Sequence, residues 1–362
     1  MRHLYFACLA ALLLLIPAKS AEKLPEPKRE AWPPSDAQRI LIKEGVALHD
    51  AGDYDGAIAK YKQVLAESPD EVVSMHEIAY SYFEKKDYAN ALAVARQGAE
   101  FKSTLLPHFY VMIGNSLDEL GQHVEAMDVY AAAIKRFPET ALLHFNLAVS
   151  LNRSGKPAEA RKTVEKAVTL DPNHPGSHSL LGSLYVDGDY RVPAVLAYSR
   201  FLVLEPGSER SKKAVAQLRA ILTGGVTKGD QPNHFNITLS LSPDSKKDEG
   251  DFDAVAVFMS LSAAVDTTER GKKSTPFQAL ADKYAVLAST MENSMKKPRG
   301  FAATYYVPYF VEMHRKGHCP AFVYTAWRQA ELGGSAEWGK ANEAKVREFQ
   351  EWSHAWTWSA GK

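Results

Sequence analysis

Side chains of metal-binding type crowd together at one place in the sequence, His314-x3-His318-Cys319, with Glu312 just upstream. Two imidazoles four residues apart share one face of a helix, and a thiolate beside them adds a soft ligand suited to zinc or copper. Gly317 and Pro320 interrupt the helix there, and no second Cys or His cluster completes the coordination sphere. No metal centre is therefore expected from His314, His318 and Cys319. A Gly-x-Ser-x-Gly elbow, a phosphate-cradling glycine loop, a His-Glu-x-x-His pair and a haem-attaching cysteine pair are all missing. No cofactor and no catalytic set are expected on these grounds, although scattered catalytic groups leave no motif.

Charge excludes another class of chemistry. Lys plus Arg and Asp plus Glu both number 43, so no net field draws a nucleic-acid backbone. The longest basic runs, Lys272-Lys273 and Lys296-Lys297, are too short for a nucleic-acid patch, and no nucleic-acid partner is expected. A length of 362 residues exceeds what one compact core usually serves, so more than one region is expected.

The N-terminus has Arg2 and His3 before an apolar run from Leu4 to Ile16, then Pro17 and Ala18-Lys19-Ser20. That order predicts a secretory signal over residues 1–20, cleaved after Ser20, and a periplasmic or envelope location. The run is too short to span a bilayer, and no transmembrane segment is expected after cleavage. Cleavage removes Cys8 and leaves Cys319 alone, so stability must come from packing and not from an internal disulfide. Residues 21–37, with Pro25, Pro27, Pro33 and Pro34 among charges, read as an extended linker.

Beyond the linker one skeleton returns five times, from residues 38, 72, 107, 141 and 175. A small residue stands at the eighth position (Gly45, Ala79, Gly114, Ala148, Gly182) and alanine at the twentieth (Ala57, Ala91, Ala126, Ala160, Ala194). Large residues such as Leu48, Tyr82, Leu117, Tyr61, Tyr130 and Tyr198 surround them at helical spacing. Turns are expected at Gly52-Asp53, Gly121-Gln122, Gly155-Lys156 and Gly188-Asp189, and Pro69, Pro138, Pro172 and Pro206 stop the second helices. This pattern resembles the tetratricopeptide repeat family over residues 38–208. The family's fourth-position Trp is replaced throughout, by Leu41, Met75, Tyr110, His144 and His178. The second repeat departs furthest, with Ser103 for the closing Pro, Gly98 inside its second helix and one extra residue, which predicts a bend or a loosened contact.

The resemblance implies an all-α, right-handed solenoid of helical hairpins over residues 38–224, closed by a capping helix whose stripe is Ala214, Val215, Leu218, Ile221 and Leu222. It also implies a concave groove lined by positions 2, 5, 9 and 12 of each first helix. Carried over residue by residue, the groove candidates are Ile42, His49, His76, Tyr80, Phe83, His108, Val111, Asn115, Phe145, Val149 and Asn152, with Asn146 beside them. Asn115 and Asn146 match two amides of the carboxylate-gripping subclass, but its cation positions hold Val111, Gly176 and Leu180, so that grip is broken. Amide contacts to an extended peptide remain, since Asn both donates and accepts. A competing expectation is that the C-terminal region covers Tyr80, Phe83 and Phe145.

Residues 225–362 read as an aromatic-rich helical domain, with helices near 252–265, 276–294, 301–316, 319–333 and 337–357. Before them Phe235 to Leu241 alternates as a strand that no second strand answers convincingly. Trp352 and Trp356 are expected in core packing. The leading functional expectation is an exported scaffold for protein–protein interaction, holding a partner protein or peptide in the groove. An enzyme or metal-binding protein with its site in residues 225–362, and a self-associating structural component, are the alternatives.

Overall fold

The computed structural model describes residues 24–224, 226–228, 235–237, 248–265 and 274–358. The expected signal over residues 1–20 lies outside them. The described chain is all-α but for two short strand pairs, and its contacts divide it into two compact units, Met1–Ala132 and Ala133–Lys362, the division falling inside one helix of the third hairpin.

In the first unit β1 (Arg29–Glu30) precedes the hairpins α1 (Asp36–Asp50) with α2 (Tyr54–Glu67) and α3 (Val72–Glu84) with α4 (Tyr88–Gly98). After β2 (Phe101–Lys102) come α5 (Leu106–Glu119) and the first part of α6 (His123–Arg136). Ser35 and Gln38 form a capping box on α1, while Asp53 and Asp87 cap α2 and α4, which satisfies amides the helices leave unpaired. The residue between helices with positive φ is Gly52 (83°), Lys86 (66°) and Gly121 (78°). All three hold the fifteenth position of their repeats, where a left-handed backbone reverses the chain.

Two sequence expectations change here. Gly98, read as a loosening, ends α4 where a Cβ would overlap the fully buried Phe109 ring, so the glycine admits a tight contact. The linker is also no free spacer over its described part. Lys28 and Arg29 donate backbone hydrogen bonds to Glu100 (2.8 and 3.0 Å), β1 pairs in parallel with β2, and Tyr110 donates to the Pro25 carbonyl at 2.7 Å. The extra residue of the second repeat supplies the extended edge for this pairing.

The second unit continues with α7 (Ala141–Arg153) and α8 (Pro157–Leu170), α9 (Pro175–Asp187) and α10 (Arg191–Leu204), and the capping helix α11 (Glu209–Thr223). Of its expected stripe, Ala214, Val215, Leu218 and Leu222 are buried and Ile221 is half-buried. At the last hairpin turn Gly188 is right-handed and Asp189 takes the positive φ of 59°, one residue later than expected, because the fifteenth position fixes the reversal whatever its side chain. β3 (Val226–Lys228) pairs antiparallel with β4 (Phe235–Ile237), so the expected strand does find an answering partner; its continuation to Leu241 lies outside the described residues. Then follow α12 (Asp253–Val265), α13 (Pro276–Ser294), α14 (Phe301–Tyr305), α15 (Val307–Arg315), α16 (Cys319–Ala326), α17 (Ser335–Ala341) and α18 (Glu343–Ala355).

These C-terminal helices seat on the second helices of the hairpins within their unit. Every residue of α10 from Val192 to Leu202 is buried, and α10 touches α12, α14 and α16. Tyr305 donates to the Val168 carbonyl of α8 (3.1 Å), and Ser199 and Tyr284 share a hydrogen bond of 2.8 Å. Glu249, 3% exposed, accepts from the Arg161 guanidinium, the Tyr185 hydroxyl (2.9 Å) and the Ala302 amide (2.9 Å), which ties α8, α9 and α14 to one carboxylate. Rings complete the seat: Tyr309 stacks between Trp352 (4.9 Å) and Trp358 (5.0 Å), beside the buried Arg200.

Candidate partner-binding face

The first-helix residues expected to line a groove fall in both units. In the first unit they form an aromatic and imidazole cluster. His49 of α1 stacks on Tyr80 of α3 at 4.8 Å, meets Tyr54 edge-on at 5.1 Å, and its Nδ1 is fixed by Ser81 Oγ at 2.9 Å. Tyr80 is 40% exposed, and burial with the nearby Glu84 and Glu77 carboxylates raises its hydroxyl pKa, so it stays a neutral donor. His76 Nδ1 lies 3.1 Å from Glu77, and its ring meets His108 edge-on at 5.8 Å. Phe83 is half-buried against Tyr88 (5.2 Å), and Ile42 is half-buried. Ser81 and Tyr54 escaped the sequence reading because they lie outside the groove positions, although Ser81 follows Tyr80 directly.

Val111 is a correction: it is 7% exposed, on a helix whose residues from Phe109 to Gly114 are all buried, and cannot present itself to a ligand. The two asparagines are also narrower than expected. Asn115 Oδ1 accepts from the buried Tyr130 hydroxyl at 2.6 Å, so its acceptor is engaged and the amide nitrogen is the group it offers. Asn146, in the second unit, spends its amide on the Leu142 carbonyl one turn back (2.9 Å), which leaves its oxygen.

In that second unit Phe145 is half-buried and meets His174 edge-to-face at 4.6 Å, while Val149 and Asn152 are half-buried. His174 caps α9 by accepting from the Ser177 amide, a role its place just before a helix could have suggested. His144 and His178, standing at the family's Trp position, point Nε2 at the Pro138 and Pro172 carbonyls (2.8 and 3.0 Å). Burial pushes the His178 pKa down to about 3, so the ring is neutral and joins its repeat to the one before.

The His/Cys constellation comes apart. α15 ends at Arg315, Gly317 takes φ of 70°, and His318 stands just before α16, so the two imidazoles share no helix face. His318 packs on Phe349 and Trp352, and His314 Nδ1 stands 4.0 Å from Cys319 Sγ. No group of three His, Cys, Asp or Glu among the described residues is placed to hold a metal ion. Cys319 is buried, and desolvation pushes its thiol up to about 12. A neutral buried thiol supports the fold below the unfolded pKa, taken as 9.0, and that support is lost as pH rises towards 12. We expect Cys319 of the folded protein to resist a thiol reagent at pH 8 and to react fully in denaturant; labelling of the native protein at the denatured rate would contradict the burial.

The tetratricopeptide repeat model matches residues 48–102 and 111–175, leaving the C-terminal region uncovered. The chain is 26% identical over 137 residues to the BBSome complex member BBS4 of Bos taurus, covering 38% of this chain and 26% of that protein. It is 37% identical over 73 residues to the TPR repeat-containing thioredoxin TTL4 of Arabidopsis thaliana, 20% of this chain and 11% of that one. It thus spans about a quarter or less of the curated relatives it matches. Among solved structures it resembles TTC0263, a thermophilic TPR protein of Thermus thermophilus, with a TM-score of 0.44 and 19% identity, over 51% of this chain and 98% of that one. PilF of Pseudomonas aeruginosa gives 0.43 and 19%, over 51% and 87%. YrrB, a TPR protein with an unusual peptide-binding site, gives 0.36 and 18%, over 49% and 90%. No helix among the described residues is long and apolar enough to cross a membrane. The helical hairpins between residues 38 and 208 are tetratricopeptide repeats.

Proposed function

We propose that this chain is an exported scaffold that holds a partner protein through an extended segment or helix laid on the first-helix face of its repeats. Tetratricopeptide repeats support the scaffold role itself. The observation that carries the site is the His49–Tyr80 stack, an exposed aromatic held at groove positions of two successive repeats. An aromatic fixed before a partner arrives loses little entropy on binding, which is what interface anchors need. In the second unit the C-terminal helices seat on α8 and α10, and the groove residues Phe145 and Val149 keep part of their surface exposed. Export rests on the Arg2 to Ser20 segment.

A photo-crosslinking residue at position 83 should capture a partner, and should not do so when His49→Ala and Tyr80→Glu are combined. The partner's affinity should fall at least about tenfold in Tyr80→Glu, with the helical content unchanged. Equal capture from a crosslinker at exposed Val124 would remove this face from the account.

A further inference from the structure

We propose that the outward groove between α12 and α13 is a second docking surface, and that it takes an amphipathic helix of a partner protein with acidic residues at one end. α12 carries no charged side chain after Asp253. One of its faces buries Val255, Ala256, Met259 and Ala263, and the other leaves Phe258 (48%) and Leu261 (42%) exposed beside Val286 of α13 (42%). A helix apolar on every side is normally a buried one, and three large apolar residues gathered on neighbouring helices are not the scattered kind every surface has.

Between the helices runs a groove of about 620 Å³ whose walls include Ala254, Phe258, Ala285, Val286 and Ser289. Three of its polar side chains are spent on their own helix: Thr290 donates to the Val286 carbonyl (2.8 Å), Asn293 to Ser289 (2.9 Å) and Ser294 to Thr290 (2.7 Å), while His314 of α15 adds an imidazole to the wall. With those donors spent on their own helix, the α13 wall is largely apolar. Small residues on the walls let the ridge of another helix sink between α12 and α13, as helix-in-groove recognition requires.

Charge selects the occupant. Immediately after Ser294, the last α13 residue on the wall, the chain carries Lys296, Lys297 and Arg299, all exposed, and among the described residues no carboxylate pairs with them. The nearby Glu292 and Glu312 already pair with Arg315 and Lys316. An acidic end on the incoming helix answers this rim. A second copy of this chain would offer the same apolar groove with the same basic rim, and a bilayer is too flat to fill a groove. This surface is independent of the first-helix face.

The test selects displayed helical peptides on the full chain and counter-selects them on Phe258→Asp with Val286→Asp, whose exposed positions allow the fold to persist. Enriched peptides should have an i, i+3, i+4 apolar ridge with acidic residues at one end. A synthetic one should bind about tenfold or more weakly to Phe258→Asp and about threefold or more weakly to Lys296→Glu with Lys297→Glu, the latter loss shrinking in high salt. Ala285→Arg, which fills the groove without touching Phe258, gives the same loss if the groove is the site. The proposal is overturned by peptides that lack acidic bias or bind all variants alike. A dimer, or binding to phosphatidylglycerol vesicles, abolished by Phe258→Asp would overturn it too, by making the occupant a second copy or a membrane.

Discussion

Glu249→Ala lowers the unfolding free energy by about 3–5 kcal/mol, the cost of removing one partner from a buried ion pair. The carboxylate is 3% exposed and serves the Arg161 guanidinium, the Tyr185 hydroxyl and the Ala302 amide together. Its loss leaves two buried donors unpaired, each worth about 1–3 kcal/mol, while Arg161 keeps Asp248 at 2.6 Å and the Tyr190 ring at 4.8 Å. Glu249→Gln should cost less than alanine, since it still accepts from Tyr185 and Ala302. Combining Arg161→Met with Glu249→Leu should recover only the ion-pair part of the loss, because the Tyr185 hydroxyl and the Ala302 amide stay without an acceptor. Tryptophan fluorescence during urea unfolding reads the change; a loss below about 1 kcal/mol for Glu249→Ala would show that the carboxylate does not hold this seat together.

Gly114 and Tyr130 should behave as one unit in a mutant cycle. A Cβ at Gly114 would overlap the Tyr130 ring, which is fully buried and held by its hydroxyl on Asn115, so the ring cannot swing aside. Gly114→Ala gains about 1 kcal/mol of helix propensity but meets an overpacking cost of about 1–3 kcal/mol. Tyr130→Ala alone opens a cavity and costs about 3–5 kcal/mol. The double variant recreates the alanine pair that the second repeat already has at Ala79 and Ala95, so it should fall short of the summed losses by at least about 1 kcal/mol. Thermal or urea melts of the four proteins decide it, and strict additivity would mean that the two positions do not fit each other.

Much of this fold was legible because a repeat states its rule five times. The eighth and twentieth positions, the closing prolines and the helices near 252–265 and 276–294 lie close to where periodicity placed them, whereas the spans near 301–316 and 337–357 each divide into two helices and the one near 319–333 ends at Ala326. The reversal at Asp189 was missed because glycine was taken as the marker, whereas position in the repeat decides. The strand pairing of Arg29–Glu30 with Phe101–Lys102 joins segments about 70 residues apart and leaves no local pattern. For the candidate site, His49 and Tyr80 were legible from position alone. What hydrogen bonds do to Asn115 and Asn146 was not, since an amide's free half depends on neighbours that a groove pattern does not name. Val111 was lost for the same reason: position gives direction, but burial depends on what else arrives.

The glycine fit also has an alternation. Gly45, Gly114 and Gly182 face Tyr61, Tyr130 and Tyr198, whereas Ala79 and Ala148 belong with the smaller Ala95 and Val164. Odd and even hairpins are therefore built to different gauges, and a first helix of one kind does not suit a second helix of the other. A chimera cut in the loops between hairpins keeps every matched pair and should fold. One cut at Gly52, Lys86 or Asp189 that crosses from an odd to an even hairpin would join helices of unlike gauge, leaving a void in one product and a clash in the reciprocal one. The hairpin, and not the helix, is the smallest piece of this array that can be exchanged, duplicated or lost.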